Sequence, residues 1–319
     1  MRLFLAVLAL LAACASADAQ SWPSRPIKLI VPYSAGGSGD IVGRGIADKL
    51  TKSLGQGVVV ENRPGASGNI GTADVANSRA DGYTLLLGSD IQFAINPNFW
   101  SNLPYQMKQF DPISLVATVD LVLTATPSLG ISDLRQLVSL AKRKPAAITY
   151  GSTGPGSTHE LAMESLQELG GFKLTEVPYR GSAQAIPDLL SGQLKLMLMG
   201  VPQSIGYVRS GKLRALAVGS PERLAALPYV ATIAEQGFPG FEANNYWCLY
   251  APAGADKRII DKLQQATAHG VAEPDLRARF LATGLTPIGS TPQVLAARIS
   301  ADSAKWAKVI ANLHLKSNN

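Results

Sequence analysis

The chain is poor in the side chains from which most reactive centres are built. Its 319 residues include two cysteines, Cys14 and Cys248, and three histidines, His159, His269 and His314. Two distant cysteines exclude a four-thiolate zinc site, a CxxC redox pair and a disulfide framework. The histidines show no metal-ligand spacing, so neither a metal nor a cofactor is expected. Charged residues make up only 16% of the chain against 46% hydrophobic, which excludes a disordered polyelectrolyte and leaves ample material for a packed core. No run reaches the roughly 20 apolar residues that a membrane-spanning helix needs.

Positive charge is in excess, with 29 Lys and Arg against 23 Asp and Glu and a net of +6. Such a balance favours anionic partners. The densest basic run, Lys142-Arg143-Lys144, closes a predicted helix before Pro145 and matches the negative end of its dipole. No basic patch is interleaved with aromatics, so small anions are expected rather than nucleic acid.

The first residues read as a secretory leader. Arg2 precedes an apolar run from Leu3 to Ala13, and Ala17-Asp18-Ala19 has the small-x-small spacing of a cleavage site. Leu11-Ala12-Ala13-Cys14 offers an alternative, a lipobox in which Cys14 becomes the lipid anchor. Either route places the mature chain, expected to be a monomer, outside the cytoplasm.

Beyond Pro26, β-rich runs alternate with helical patterns: 27–31 then 41–54, 58–60 then 70–76, and 83–87. This alternation predicts βαβ units and a largely parallel sheet. A helix over 132–144, capped by Ser132, carries Leu134, Leu137, Val138 and Ala141 on one stripe and leads into a strand over 147–150. Ser157 with Glu160 forms a capping box, and Gly170-Gly171 stops the helix that it opens. Strands are expected over 174–178, 194–199, 213–218 and 246–250. A last helix carries Leu295, Ile299, Trp306 and Ile310 near one face. The chain thus holds two β-α arrays, with crossings expected near 121–126 and 246–251. That is an α/β protein of two lobes with a ligand cleft and two hinge crossovers. Residues 1–19 are the signal peptide, 20–122 plus 251–319 the first lobe and 123–250 the second.

Two glycine-rich loops join a strand to a helix, one in each array. In Tyr33-Ser34-Ala35-Gly36-Gly37-Ser38-Gly39-Asp40 the glycines free backbone N–H groups to face an anion above the helix start, or simply make a tight turn capped by Asp40. Tyr150 to His159 repeats the arrangement, and Leu87-Gly88-Ser89-Asp90 offers a third wall. His159 reads as a helix-start residue bonded to its own loop rather than as a general base. Enzyme motifs fail. A nucleophile elbow needs glycine two residues to either side of the serine, but Asp40 follows Ser38, Asn69 follows Ser67, Tyr150 precedes Ser152 and Pro155 precedes Ser157. His159 stands where a dinucleotide fingerprint needs glycine, and Gly211-Lys212 runs into Leu213 rather than Ser or Thr.

Several segments together resemble the Bug (TctC-like) family, extracytoplasmic solute receptors of tripartite tricarboxylate transporters. They are Trp22 to Ile27, Tyr33 to Asp40 with Arg44, Glu61 to Gly71, Asp81 to Leu85, Val177 to Gly181, Gly211 to Val218 and Ala251 to Gly254. The resemblance spans the mature chain. It implies a type II periplasmic binding protein that closes on a small carboxylate and passes it to a membrane permease. It further implies two sets of ligand contacts: Tyr33, Ser34, Ala35, Gly36, Gly37 and Asp40, then Ser152, Thr153, Gly156, Ser157 and His159, with Ser89 and Tyr179 completing the pocket. Where the family commonly has Phe-Asp-Asn, this chain has Leu198-Met199-Gly200, and where it usually has Trp-x-Gly-Leu, this chain has Tyr246-Trp247-Cys248-Leu249. With that acid missing and Met199 and Trp247 facing the pocket, a hydrophobic or aromatic carboxylate is expected in preference to an amino acid. Two rivals remain: a secreted serine-dependent hydrolase, and a lipoprotein sensor anchored through Cys14.

Overall fold

The structure is a computed structural model that describes residues 22–313 and 315. The leader, its cleavage site, Cys14 and His314 lie outside the described residues.

Strand β1 (Ile27–Val31) is buried at four of its five positions, which suits a parallel strand covered on both faces. It pairs in parallel with β2 (Val58–Asn62) and β3 (Thr84–Ser89), and helices α1 (Ser38–Leu54) and α2 (Asn69–Ala76) make the connections. After β3 come a π-helical turn, Ile91–Ile95, and the short α3 (Asn96–Phe99). The second array contains α4 (Leu134–Arg143), β5 (Thr149–Ser152), α5 (Thr158–Gly170), β6 (Thr175–Pro178), α6 (Ser182–Ser191), β7 (Leu196–Gly200), α7 (Val201–Arg209) and β8 (Arg214–Val218). Strand β5 pairs in parallel with β6 and β7.

Between the arrays runs β4 (Phe110–Ala125), a strand of 16 residues. Its stretch from Phe110 to Asp120 pairs antiparallel with β9 (Asn244–Pro252), and from Leu121 onward it pairs with β7 and β8. The outward crossing therefore falls at Asp120 and Leu121. The return precedes β9. Gly219 donates its N–H to Leu121 O at 2.7 Å, and Ala243 donates to Gly219 O at 2.8 Å. Residues 246–251, expected as the return crossing, instead lie inside β9 and pair with β4 and β3. Helices α8 (Lys257–Ala272) and α9 (Pro274–Ala282), strand β10 (Leu285–Pro287) and helix α10 (Pro292–Asn312) follow.

The sheet order is β2-β1-β3-β9-β4-β7-β5-β6, with β8 and β10 attached to β4. The sheet is mixed rather than largely parallel. Parallel pairs occupy its two ends, because β4 and β9 link the arrays and meet their neighbours antiparallel. Helix ends also refine the sequence reading. Asp133, not Ser132, caps α4, its carboxylate accepting the Gln136 N–H at 2.8 Å. Helix α1 starts at Ser38, so Asp40 lies within its first turn and Gly37 is the cap. The α10 stripe behaves as expected: Leu295, Ile299, Trp306 and Ile310 are all buried.

Candidate ligand site

A cavity of about 40 Å³ lies where β4 passes from one array to the other. The β1–α1 loop supplies Tyr33, Ser34 and Gly37 to Gly39, and the end of β3 with the π-turn supplies Ser89 and Ile91. Val119 and Leu121 of β4, with Asn245 and Trp247 of β9, line its middle. From the second array come Thr153, His159, Gly181, Ser182 and Gly200.

Three helices begin at this cavity, and the residue at each start explains why they remain open. The N-cap residues of α1, α6 and α7 are Gly37, Gly181 and Gly200; none makes a side-chain cap, and all three line the cavity. A glycine cap leaves the first-turn N–H groups without a side-chain acceptor from the cap position; Asp40 stands in the first turn of α1, and Pro202, which has no N–H, in that of α7. The α5 start, expected from its glycine-rich loop to be the second anion-seeking end, is different. Ser157 Oγ accepts the Glu160 N–H at 3.2 Å, while the Glu160 carboxylate reaches back to the Gly156 N–H at 2.5 Å. That helix end is closed by its own side chains. Burial, helped by the nearby Glu176 charge, raises the Glu160 carboxyl to about 7.

On α1, the Asp40 carboxylate accepts the Gly36 N–H at 3.0 Å and Arg44 Nε at 2.9 Å. Burial pushes this carboxyl up, but the bonds from Arg44, Gly36 and Asn62 outweigh it and hold the group below its ordinary range. Tyr33 meets Trp247 edge-on, with ring centroids 5.7 Å apart, and takes a 2.7 Å bond from Gln92 Nε2. The benzo ring of Trp247 covers Gly39 so closely that a Cβ there would lie 2.4 Å from Cη2. Trp247 Nε1, Ser34 Oγ and Gln203 Nε2 are buried without a hydrogen-bond partner.

His159 Nδ1 lies 3.0 Å from Thr153 Oγ1, and burial lowers its pKa to about 4, so the ring is neutral at pH 7. The cavity wall carries no Asp, Glu, Lys or Arg among the described residues. Beside it the two arrays are bridged. Asp90 Oδ2 accepts Thr158 Oγ1 at 2.8 Å, Asp90 Oδ1 accepts Asn245 Nδ2 at 3.0 Å, and Ser67 Oγ donates to Pro155 O at 2.6 Å.

Of the residues expected from the sequence, Tyr33, Ser34, Gly37, Ser89, Thr153, His159 and Trp247 line the cavity. The others serve it indirectly or lie elsewhere. Ala35 and Gly36 form the exposed turn that Asp40 ties down. Ser152 Oγ donates to Glu176 and accepts the Gly154 N–H. Gly156 faces Phe99, Ser157 is the α5 cap, and Tyr179 OH donates to Asp188 at 2.7 Å. Met199 packs with Ala185, Leu189 and Met197 in an apolar cluster of the second array, so it is core rather than pocket wall. Both faces of β7 are buried, and only its last residue, Gly200, reaches the cavity. Sequence reasoning missed Ser38, Gly39, Ile91, Val119, Leu121, Gly181, Ser182, Gly200 and Asn245. Gly181, which precedes α6, and Gly200, which ends β7, were the available signal for the second-array wall.

A mixed α/β fold crossed twice by the chain, with a cavity at the crossing, is that of the periplasmic binding proteins. A family model described as "Tripartite tricarboxylate transporter family receptor" matches residues 42–315, and the chain belongs to that family of receptors. It is 37% identical to Protein BugT of Bordetella pertussis over 93% of this chain and 91% of that one. It is similar to the solved structure of R. palustris Rpa4515 with adipate, at 33% identity and TM-score 0.90, covering 92% and 99% of the two chains. MatC from Rhodopseudomonas palustris, solved with bound malate, is similar at 28% identity and TM-score 0.86, covering 91% and 100%.

Proposed function

We propose that this receptor captures a small carboxylate in the cavity, closes around it, and delivers it to the permease of a tripartite tricarboxylate-type transporter. One observation carries the reading: three glycine-capped helix starts surround a cavity whose wall holds no charged side chain. Backbone donors and helix dipoles suit a carboxylate, while an ammonium group would find no acid there. The lobes divide at the strand crossings, 22–120 with 244–313 against 121–243. Bridges such as Asp90 to Thr158 belong to the closed form, and a ligand that touches both sides favours that form. Secretion by the leader, or anchoring through Cys14, delivers the chain outside the cytoplasm.

Two similar proteins were solved with adipate and malate, which supports the carboxylate class. With Trp247, Ile91, Val119 and Leu121 in the wall, we infer a hydrophobic or aromatic carboxylate in preference to an amino acid. A hydrolase is disfavoured because His159 is bonded to Thr153, and Ser152 to Glu176, rather than to each other. A thermal-shift screen over aliphatic, aromatic and amino carboxylates tests the reading. A ligand at 100-fold excess over its Kd adds about 2.7 kcal/mol of stability. Stabilisation by aspartate or glutamate alone refutes the specificity, and turnover of an activated ester abolished by Ser152→Ala or Ser38→Ala refutes the receptor.

A further inference from the structure

Two buried donors on side chains beside the first turn of α1 have no hydrogen-bond partner among the described residues. Gln203, on α7 of the second array, is 8% exposed. Its Oε1 lies 3.4 Å from Ser38 Oγ and would be 3.8 Å from a Cβ on Gly37, while its Nε2 has no partner. Trp247, on β9, is 7% exposed, lies over Gly39, and leaves Nε1 unpaired. Both unpaired atoms are N–H donors on side chains that touch the start of a 17-residue helix lining the cavity, Gln203 through its Oε1 at Ser38 and Trp247 through its benzo ring at Gly39. Burying a donor without an acceptor is unfavourable, and two beside one open helix end await the same kind of group.

We propose that Gln203 Nε2 and Trp247 Nε1 complete a carboxylate seat at the first turn of α1, with Gln203 supplied from the opposite lobe. The inference rests on the receptor reading and adds which side chains hold the anion and when. Trp247 belongs to the strand that borders the crossing, so its donor stays beside the seat. Gln203 reaches Ser38 only when the arrays meet, so its bond to the carboxylate forms on closure and recognition drives the lobes together. Gly200, three residues before Gln203, admits this approach, since a Cβ there would lie 2.2 Å from Ser38 Oγ.

Isothermal titration of the full mature chain with adipate, malate and benzoate, on wild type and three variants, tests the seat. Gln203→Met keeps the volume and removes the donor; Gln203→Glu turns a carboxylate toward the anion; Trp247→Phe removes one N–H and keeps the ring. For a probe that binds the wild type, Gln203→Met should weaken affinity about 10- to 100-fold, the range for a hydrogen bond to a charged group. Gln203→Glu should weaken it further and abolish the ligand-induced compaction seen by small-angle scattering, with the unliganded melting midpoint unchanged. Trp247→Phe should weaken affinity about tenfold yet keep the compaction. Wild-type affinity in both Gln203 variants overturns the seat and leaves the receptor standing. Failure of all three probes to bind the wild type overturns both.

Discussion

Replacing Asp90 by Asn is expected to stabilise the protein at alkaline pH and leave it unchanged in acid. Asp90 is 1% exposed, and its carboxylate is held by Thr158 and Asn245. Burial is the main influence on it, raising the pKa from 3.8 to about 6; the bonds from Asn245 and Thr158 oppose the rise and the Asp302 charge adds to it. The folded protein thus binds this proton more tightly than the unfolded chain. Stability from this group is complete below about pH 4, where both states are protonated, and is lost as pH rises through about 6. Two pKa units correspond to about 3 kcal/mol by pH 8. Asn keeps an oxygen for Asn245 and, like the protonated acid, presents a donor to the Thr158 oxygen in place of the bond that Thr158 gives the carboxylate, so the charge is removed. The expected gain is about 1–3 kcal/mol at pH 8, falling to nearly nothing at pH 4. Urea unfolding of wild type and Asp90→Asn across this range measures it. A difference that does not change with pH, or a variant less stable than wild type at pH 8, refutes the reasoning.

Gly39→Ala places a Cβ 2.4 Å from Trp247 Cη2, so the indole must leave its seat. A loss of about 1–3 kcal/mol in urea unfolding is expected, together with weakened ligand binding. Gly200→Ala incurs no backbone penalty at φ −59, yet its Cβ would lie 2.2 Å from Ser38 Oγ across the cleft. It should hinder closure, lowering ligand affinity at least about tenfold in titration calorimetry, equivalent to about 1.4 kcal/mol. The α4 cap is tested by a pair of variants: Asp133→Ala should cost about 1 kcal/mol of unfolding free energy, and Ser132→Ala less than about 0.5. Equal costs would return the cap to Ser132.

What was legible in the sequence was local. Strand β1 and the glycine-rich loop after it can be read because a buried apolar run, a turn and an amphipathic helix lie within 30 residues. Strand β4 could not be read as a strand. It contains Pro112, shifts register near Pro112 and Leu115, and changes partners at Leu121, so no single alternation runs through it. Since β4 carries Val119 and Leu121, the floor of the cavity was hidden with it. Met199 shows how fine the distinction is: it and Gly200 are neighbours on β7, one in the core and the other in the cavity wall.

The helix starts carry the deeper lesson about charge. A net of +6 suggested that cations would attract the anion, yet no Lys or Arg lines the cavity among the described residues. The excess can raise the arrival rate of anions but cannot hold one in this seat. Holding depends on which residue caps each helix. Ser157 satisfies the end of α5 from within, and a loop rich in glycine is thereby removed from the anion's reach. Gly37, Gly181 and Gly200 offer no side-chain cap, and all three line the same cavity. Gly181 and Gly200 look unremarkable in sequence because their meaning depends on convergence from separate segments. A cap residue, read together with where its helix points, therefore discriminates anion-seeking ends from structural turns better than glycine content does.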